Sequence, residues 1–194
     1  EADHAILGWR GSFAQNEYAF GPNLDALLTN APVDVTLANF QKRPVGKVVA
    51  LIGDGPNAPT AVRRSAEFAT LADEAEQPTL INIQLTDRKA GDESIESGST
   101  AMEQGRETIE RAARQAGLNS GEYDASVLVG ETVESTVIDA IDERDLVCLG
   151  LSNQSELLRD RSGSIAERIH DRVSCNVAIA RGGREKIGSN RDVD

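Results

Sequence analysis

Five short apolar runs, each separated from the next by a longer polar or amphipathic stretch, fill most of the chain from Lys47 to Arg181. The first run, Lys47 to Gly53 (KVVALIG), ends in glycine and has no polar alternation, the pattern of a strand buried on both faces. Ala58 to Gln77 follows with small or apolar residues at Val62, Ala66, Ala69 and Ala72, a helical spacing, and Pro59 suits a first turn. Thr79 to Leu85 (TLINIQL) is a second predicted strand, and Thr86 to Thr100, polar and Gly/Ser-containing, is predicted to be a loop. A helix is expected from Ala101 to Ala116 with Gly117 as its stop, then a strand at Ala125 to Val129. Thr132 to Arg144 reads as a helix presenting Val133, Val137 and Ile141, and Asp145 to Gly150 as a strand. The loop Leu151 to Ser162 leads to a helix from Ser164 to Val173 and a last strand at Asn176 to Ala180. Continuous apolar strands alternating with helices specify a parallel sheet covered on both faces. Right-handed crossovers make an open, doubly wound, five-stranded α/β sheet of Rossmann-like form the expected fold.

Charge narrows the partners. Asp and Glu number 32 against 20 Lys and Arg, a net charge of −12, whereas a nucleic-acid binder needs clustered cations. No apolar run reaches the roughly 18 residues of a membrane helix, and two cysteines, Cys148 and Cys175, make no disulfide framework. A cytoplasmic location is expected. Only Lys42, Lys47, Lys89 and Lys186 are lysines, and a carboxylate-rich, lysine-poor surface suits a high-salt, halophilic cytoplasm in which counterions screen self-repulsion.

A shift of 142 positions lays residues 1–39 without a gap on residues 143–181. Glu1 meets Glu143, Asp3 meets Asp145, Leu7 meets Leu149, Gly8 meets Gly150, Gly21 meets Gly163, Val35 meets Val177 and Ala38 meets Ala180. The glycine spacing is Gly8-x2-Gly11-x9-Gly21 in the first copy and Gly150-x2-Asn153-x9-Gly163-Ser164 in the second. The repeat implies a strand–loop–helix–strand piece of one domain (residues 1–40), a linker (41–46), a complete domain (47–181) and a disordered tail (182–194). Beginning at Glu1, the chain is read as a fragment of something longer.

These residues resemble the universal stress proteins. The likeness rests on the strand ending in Asp54-Gly55, the strand Leu80-Ile81-Asn82-Ile83, Gly130 after the third strand, and the glycine motif before the last helix. In the nucleotide-binding members of that family Gly-x2-Gly-x9-Gly-Ser/Thr holds the phosphates and ribose of ATP. The resemblance therefore implies a site for ATP or another adenine nucleotide. Its residues are Asp54, Gly55, Ile83, Gly130, Leu149, Gly150, Ser152, Asn153, Gly163, Ser164 and Ile165, with a degenerate counterpart at Gly8, Arg10, Gly11 and Gly21. Asp54 offers a carboxylate to an adenine amino group or ribose hydroxyl, or else caps a turn or helix. Ile83 offers backbone groups to the base, and its side chain reads as core. Gly150 is expected at positive φ beside the phosphates, and Gly163 and Ser164 open a helix whose free N–H groups attract anions.

Three departures bear on that site. Asn153 stands for the second glycine of the motif, Ser152 for a frequent basic residue, and Pro22 for Ser or Thr in the first copy. His4 and His170 lack ligand spacing, so no metal is expected, and no nucleophile elbow or evident base marks a catalyst. Tandem domains of this kind also resemble cytoplasmic tails of archaeal amino-acid permeases, placing the chain at the cytoplasmic face below a transporter domain. Two readings lead, a nucleotide-binding regulatory module and a nucleotide-free dimerisation module of the same fold; a third, a weak nucleotide hydrolase, is disfavoured because no Mg²⁺ ligand pair stands at the motif. For either, the last strand and its counterpart, with Val177 and Ile179 alternating as Val35 and Leu37 do, are expected to pair within one chain or in a homodimer. The charge excess gives a first test. Thermal unfolding from about 0.1 to about 2 M KCl should show a rising midpoint, and an unchanged midpoint contradicts the high-salt reading.

Overall fold

The computed structural model describes residues 3–9, 22–72, 77–85, 94–151, 172 and 175–183. Its elements in chain order are β1 (His4–Gly8), α1 (Pro22–Asn30), β2 (Asp34–Asn39), β3 (Val48–Leu51), α2 (Ala58–Ala69), β4 (Thr79–Leu85), α3 (Ser94–Ala116), β5 (Asp124–Gly130), α4 (Val133–Ala140), β6 (Leu146–Gly150) and β7 (Asn176–Arg181). The strands form one seven-stranded sheet in the order β1-β2-β7-β6-β3-β4-β5. Every neighbouring pair is parallel except β2 with β7. From β3 onward this is the doubly wound order, reversing direction between β3 and β6.

Side-chain alternation sorts the apolar residues into two cores. On one face Ala50, Cys148, Leu146 and Ala178 pack with Ala58, Val62 and Ala69 of α2 and Ile109, Ala112 and Ala113 of α3. On the other, Leu37, Val147, Leu149, Val177 and Ile179 pack with Leu28 of α1, Val137 of α4 and Trp9. Trp9 is thus a core residue. Burial pushes the Cys175 thiol up to about 12 and the Cys148 thiol higher still, so both are inert small hydrophobes. No helix among the described residues is long and apolar enough to cross a membrane.

The shift of 142 holds in the hydrogen-bond ladders. The five β1–β2 partners, His4 with Asp34 through Gly8 with Ala38, map one for one onto Leu146 with Asn176 through Gly150 with Ala180. The flanking bonds repeat as well. Trp9 N–H donates to Ala38 O and Leu151 N–H to Ala180 O, while Asp34 N–H donates to Asp3 O and Asn176 N–H to Asp145 O. The same shift carries Leu37 onto Ile179, the residue it faces across the β2–β7 junction. A local two-fold axis therefore passes between Leu37 and Ile179.

Several boundaries differ from the sequence-based expectation. Ser94 to Thr100, expected as loop, is helical and begins α3, which ends as predicted at Gly117, with φ +87. There Leu118 N–H donates to Ala113 O, the closing bond of a left-handed glycine cap, and Leu118 packs on the core. Helix α2 stops at Ala69, short of the expected Gln77, and α4 stops at Ala140 because Ile141 is extended. Residues 41–46 are tied down. Gln41 and Lys42 N–H donate to Oδ1 of buried Asn176, whose Nδ2 donates to Lys42 O and Arg144 O. The tail is ordered at its start, where Gly182 N–H donates to Asn57 Oδ1 and Gly183 N–H to Asp34 Oδ1; residues 184–194 lie outside the described residues.

A polar cluster fastens β1 and β2 to α2. Arg64 Nη1 lies 2.5 Å from His4 Nδ1 and His4 Nε2 lies 2.8 Å from Thr36 Oγ1. Arginine has no acceptor, so Nδ1 accepts and the proton sits on Nε2. Arg64 also pairs with Glu67 at 2.6 Å and Asp34 at 3.5 Å, and Arg63 with Asp34 at 2.9 Å. Burial, then the charge of Arg64, lowers the His4 pKa below its ordinary 6.5. A histidine whose pKa falls on folding binds fewer protons folded than unfolded. Its contribution is complete above pH 6.5 and is lost as pH falls through the folded value. Chemical unfolding between about pH 7.5 and 5 should show stability declining towards acid, with a shallower decline in His4→Gln. Equal slopes for the two proteins contradict this role.

Candidate functional site

In a doubly wound sheet the ligand crevice lies beyond the carboxyl ends of the strands that flank the reversal. Here those strands are β3 and β6. Strand β3 is short, and its last rung with β4 joins Leu51 to Ile81, while β4 runs on to Leu85. Beyond that rung Ile52 N–H donates to Ile81 O, and Asn82 Nδ2 reaches across to Ile52 O at 2.7 Å. Backbone groups of alternate strand residues face the same side, so the N–H and C=O of Ile83 face the space past the end of β3. The Ile83 side chain packs on the core, as expected.

Gly150 closes β6, and the structure corrects its predicted role. Among the described residues the positive-φ glycine is Gly117, and Gly150 is an ordinary strand residue. Its lack of a side chain serves packing, since a Cβ there would sit 2.8 Å from the carbonyl carbon and oxygen of Asn57. Strand β6 thus meets the start of α2 backbone to backbone. Asn57, at the N-cap position of α2, makes no side-chain cap bond. Its Nδ2 donates to Leu151 O at 2.6 Å and its Oδ1 accepts from Gly182 N–H at 2.8 Å, joining the ends of β6 and β7 to the loop after β3.

Asp54 sits in that loop with its side chain 83% exposed, Oδ1 lying 2.5 Å from Nη2 of Arg111 on α3. Arg111 is itself 54% exposed, and an exposed pair of this kind contributes about 0–1 kcal/mol and exchanges readily with solvent or ligand. Between the loop after β3 with the first residues of α2 (53–59) and Thr108, Arg111 and Gln115 of α3 lies an open hollow of about 230 Å³. Asp54 is therefore an available acceptor held by a cation that sequence reading did not identify.

Of the other expected residues, Leu149 is core, paired with Leu51 and Ile179. Gly130 ends β5, two strands from β3, where a Cβ would collide with the Thr136 side chain, so the structure does not bring it to Asp54. Gly8 ends β1, which runs opposite to β6, so the two glycine motifs begin at opposite ends of the sheet. Ser152, Asn153, Gly163, Ser164 and Ile165, with Arg10, Gly11 and Gly21 of the first copy, lie outside the described residues. No group of three His, Cys, Asp or Glu able to hold a metal occurs among the described residues.

No protein-family model matches the chain, and no curated protein matches it. Solved structures do. A hypothetical protein whose structure served as a test case for assigning biochemical function shares 15% identity at a TM-score of 0.51, covering 73% of this chain and 99% of that one. A universal stress protein from Archaeoglobus fulgidus shares 14% identity at a TM-score of 0.51, covering 95% of this chain and 62% of that one. A universal stress protein solved in complex with cAMP shares 16% identity at a TM-score of 0.46, covering 70% of this chain and 97% of that one. The chain has the universal stress protein fold. For the site, the contact of β6 with α2 yields a test. Gly150→Ala must displace backbone, and denaturant unfolding should show a loss of about 1–3 kcal/mol; an unchanged midpoint contradicts the close approach.

Proposed function

We propose that this chain is a regulatory module that binds an adenine nucleotide in the crevice between the ends of β3 and β6. The observation that carries the reading is that β3 stops short of β4. The Ile83 backbone groups face the space past the end of β3, and the segment that follows β3 carries the exposed Asp54 carboxylate, which supports the reading. Adenine presents an amino donor and ring acceptors, which a paired N–H and C=O complement, and ribose hydroxyls suit a carboxylate. The glycine motif from Gly150 to Ser164 would hold the phosphates at a helix N-terminus, as the family resemblance implies. The module is read as binding rather than catalytic, and its finer role as control of an attached amino-acid transporter at the cytoplasmic face of the membrane.

Calorimetric titration with ATP at one fixed salt concentration tests the reading. Asp54→Ala should lose about 1.5–3 kcal/mol, the worth of a hydrogen bond to a charged group. Asn153→Gly removes a side chain from the phosphate loop and should tighten binding about tenfold, or about 1.4 kcal/mol. If wild type and both variants all fail to bind ATP at millimolar levels, the nucleotide reading falls and the dimerisation module stands.

A further inference from the structure

The hollow beside α3 is electrically simple. Of the residues that line it, Asp54 and Arg111 carry charge, and the others are glycine, proline, alanine, Thr108 and Gln115. The contact between the two charges is one-sided. Nη2 of Arg111 donates to Oδ1 of Asp54 and lies 3.4 Å from Thr108 Oγ1. Among the described residues Oδ2 of Asp54 has no partner, and neither have Nε and Nη1 of Arg111. A carboxylate offers about four lone-pair sites, so Asp54 can accept from a ligand hydroxyl without releasing Arg111. Helix α2 borders the same hollow through Ala58 and Pro59, and its first turn holds no acidic residue to offset the positive end of its dipole. No lysine or arginine occurs at residues 52–59, 81–85 or 148–151, the ends of β3, β4 and β6, so the cation beside Asp54 comes from α3.

Resting on the nucleotide reading above, we infer that Arg111 is a specificity-determining residue. It cancels the charge of Asp54 and so makes the site select phosphorylated adenine nucleotides over uncharged adenosine. Asp54 alone would leave the ribose end of the crevice anionic, in a chain that already carries a net charge of −12, and would repel the phosphates of the ligand it binds. With Arg111 beside it the pair is neutral, its carboxylate still accepts, and the unused guanidinium N–H groups face open space. The fold does not need this cation. Helix α3 is anchored by Ile109, Ala112 and Ala113 in the core, while Arg111 is more than half exposed. Asp54 therefore reads the part that adenosine, AMP and ATP share, and Arg111 reads the charge in which they differ. Because the second effect is coulombic, it grows with phosphate charge and shrinks with salt.

Amide chemical-shift titration with adenosine, AMP and ATP in magnesium-free buffer, for wild type, Arg111→Gln and Arg111→Lys, tests the inference. At about 0.1 M KCl Arg111→Gln should weaken ATP about tenfold and AMP by less, and should leave adenosine within about twofold. Arg111→Lys keeps the charge and should preserve the wild-type order of affinities. At about 2 M KCl the ATP loss in Arg111→Gln should shrink towards that of adenosine. An ATP affinity that Arg111→Gln leaves unchanged overturns the inference. So does an equal loss for adenosine and ATP, which is the mark of a residue that only holds Asp54 in place. In both of those outcomes wild type still binds ATP, and the nucleotide reading survives. A wild type that binds none of the three ligands overturns that reading and this inference together.

Discussion

The antiparallel junction of β2 with β7 is the contact on which this structure depends. A strand–helix–strand piece of this size cannot bury a useful core alone. Through five rungs it places Val35 and Leu37 beside Val177 and Ile179, all almost fully buried. Each such side chain contributes about 1.5–3 kcal/mol when removed from water. The junction is also closed at one end by Arg181, whose Nη1 donates to Ala31 O at 2.7 Å in a buried setting. Because the junction is antiparallel, the halves of the sheet run in opposite directions. Their glycine motifs accordingly open at opposite ends.

The same economy of backbone contact shapes the crevice. Gly150 lets the start of α2 lie directly against the end of β6, and Asn57 then bonds to both flanking strand ends. These contacts fix the loop that carries Asp54. At the opposite end of the sheet buried Asn176 does similar work, organising residues 41–42 and the carbonyl of Arg144. The loop bearing the candidate ligand groups is therefore held by side chain–backbone bonds while its carboxylate remains exposed.

Much of this was legible in the sequence because the central strands β3, β6 and β7 are buried on both faces. Thr79 to Leu85 is a strand over its predicted span, and the glycine after Ala116 ends α3 where expected. Ser94 to Thr100 was missed because glycine and serine carry the local signature of a loop, although α3 continues through them. Gly105, inside that helix, is accounted for only by tertiary structure, since a Cβ there would press on Val127 and Asn82. Asp54 was visible as the carboxylate after the first strand of the long domain. Arg111 was not, because nothing in residues spaced 57 apart indicates that they meet. Gly150 was assigned to a turn by the familiar use of glycine, whereas its neighbour in space is a backbone from another element.

The central claim is that the reversal between β3 and β6 is a nucleotide crevice. Amide chemical-shift mapping of the isotopically labelled chain during addition of ATP tests it most directly. The account predicts the largest shifts at Gly53, Asp54, Gly55, Asn57, Ile83 and Gly150, saturating together with one affinity. Absence of saturable shifts, or saturable shifts centred on other strands, would contradict it.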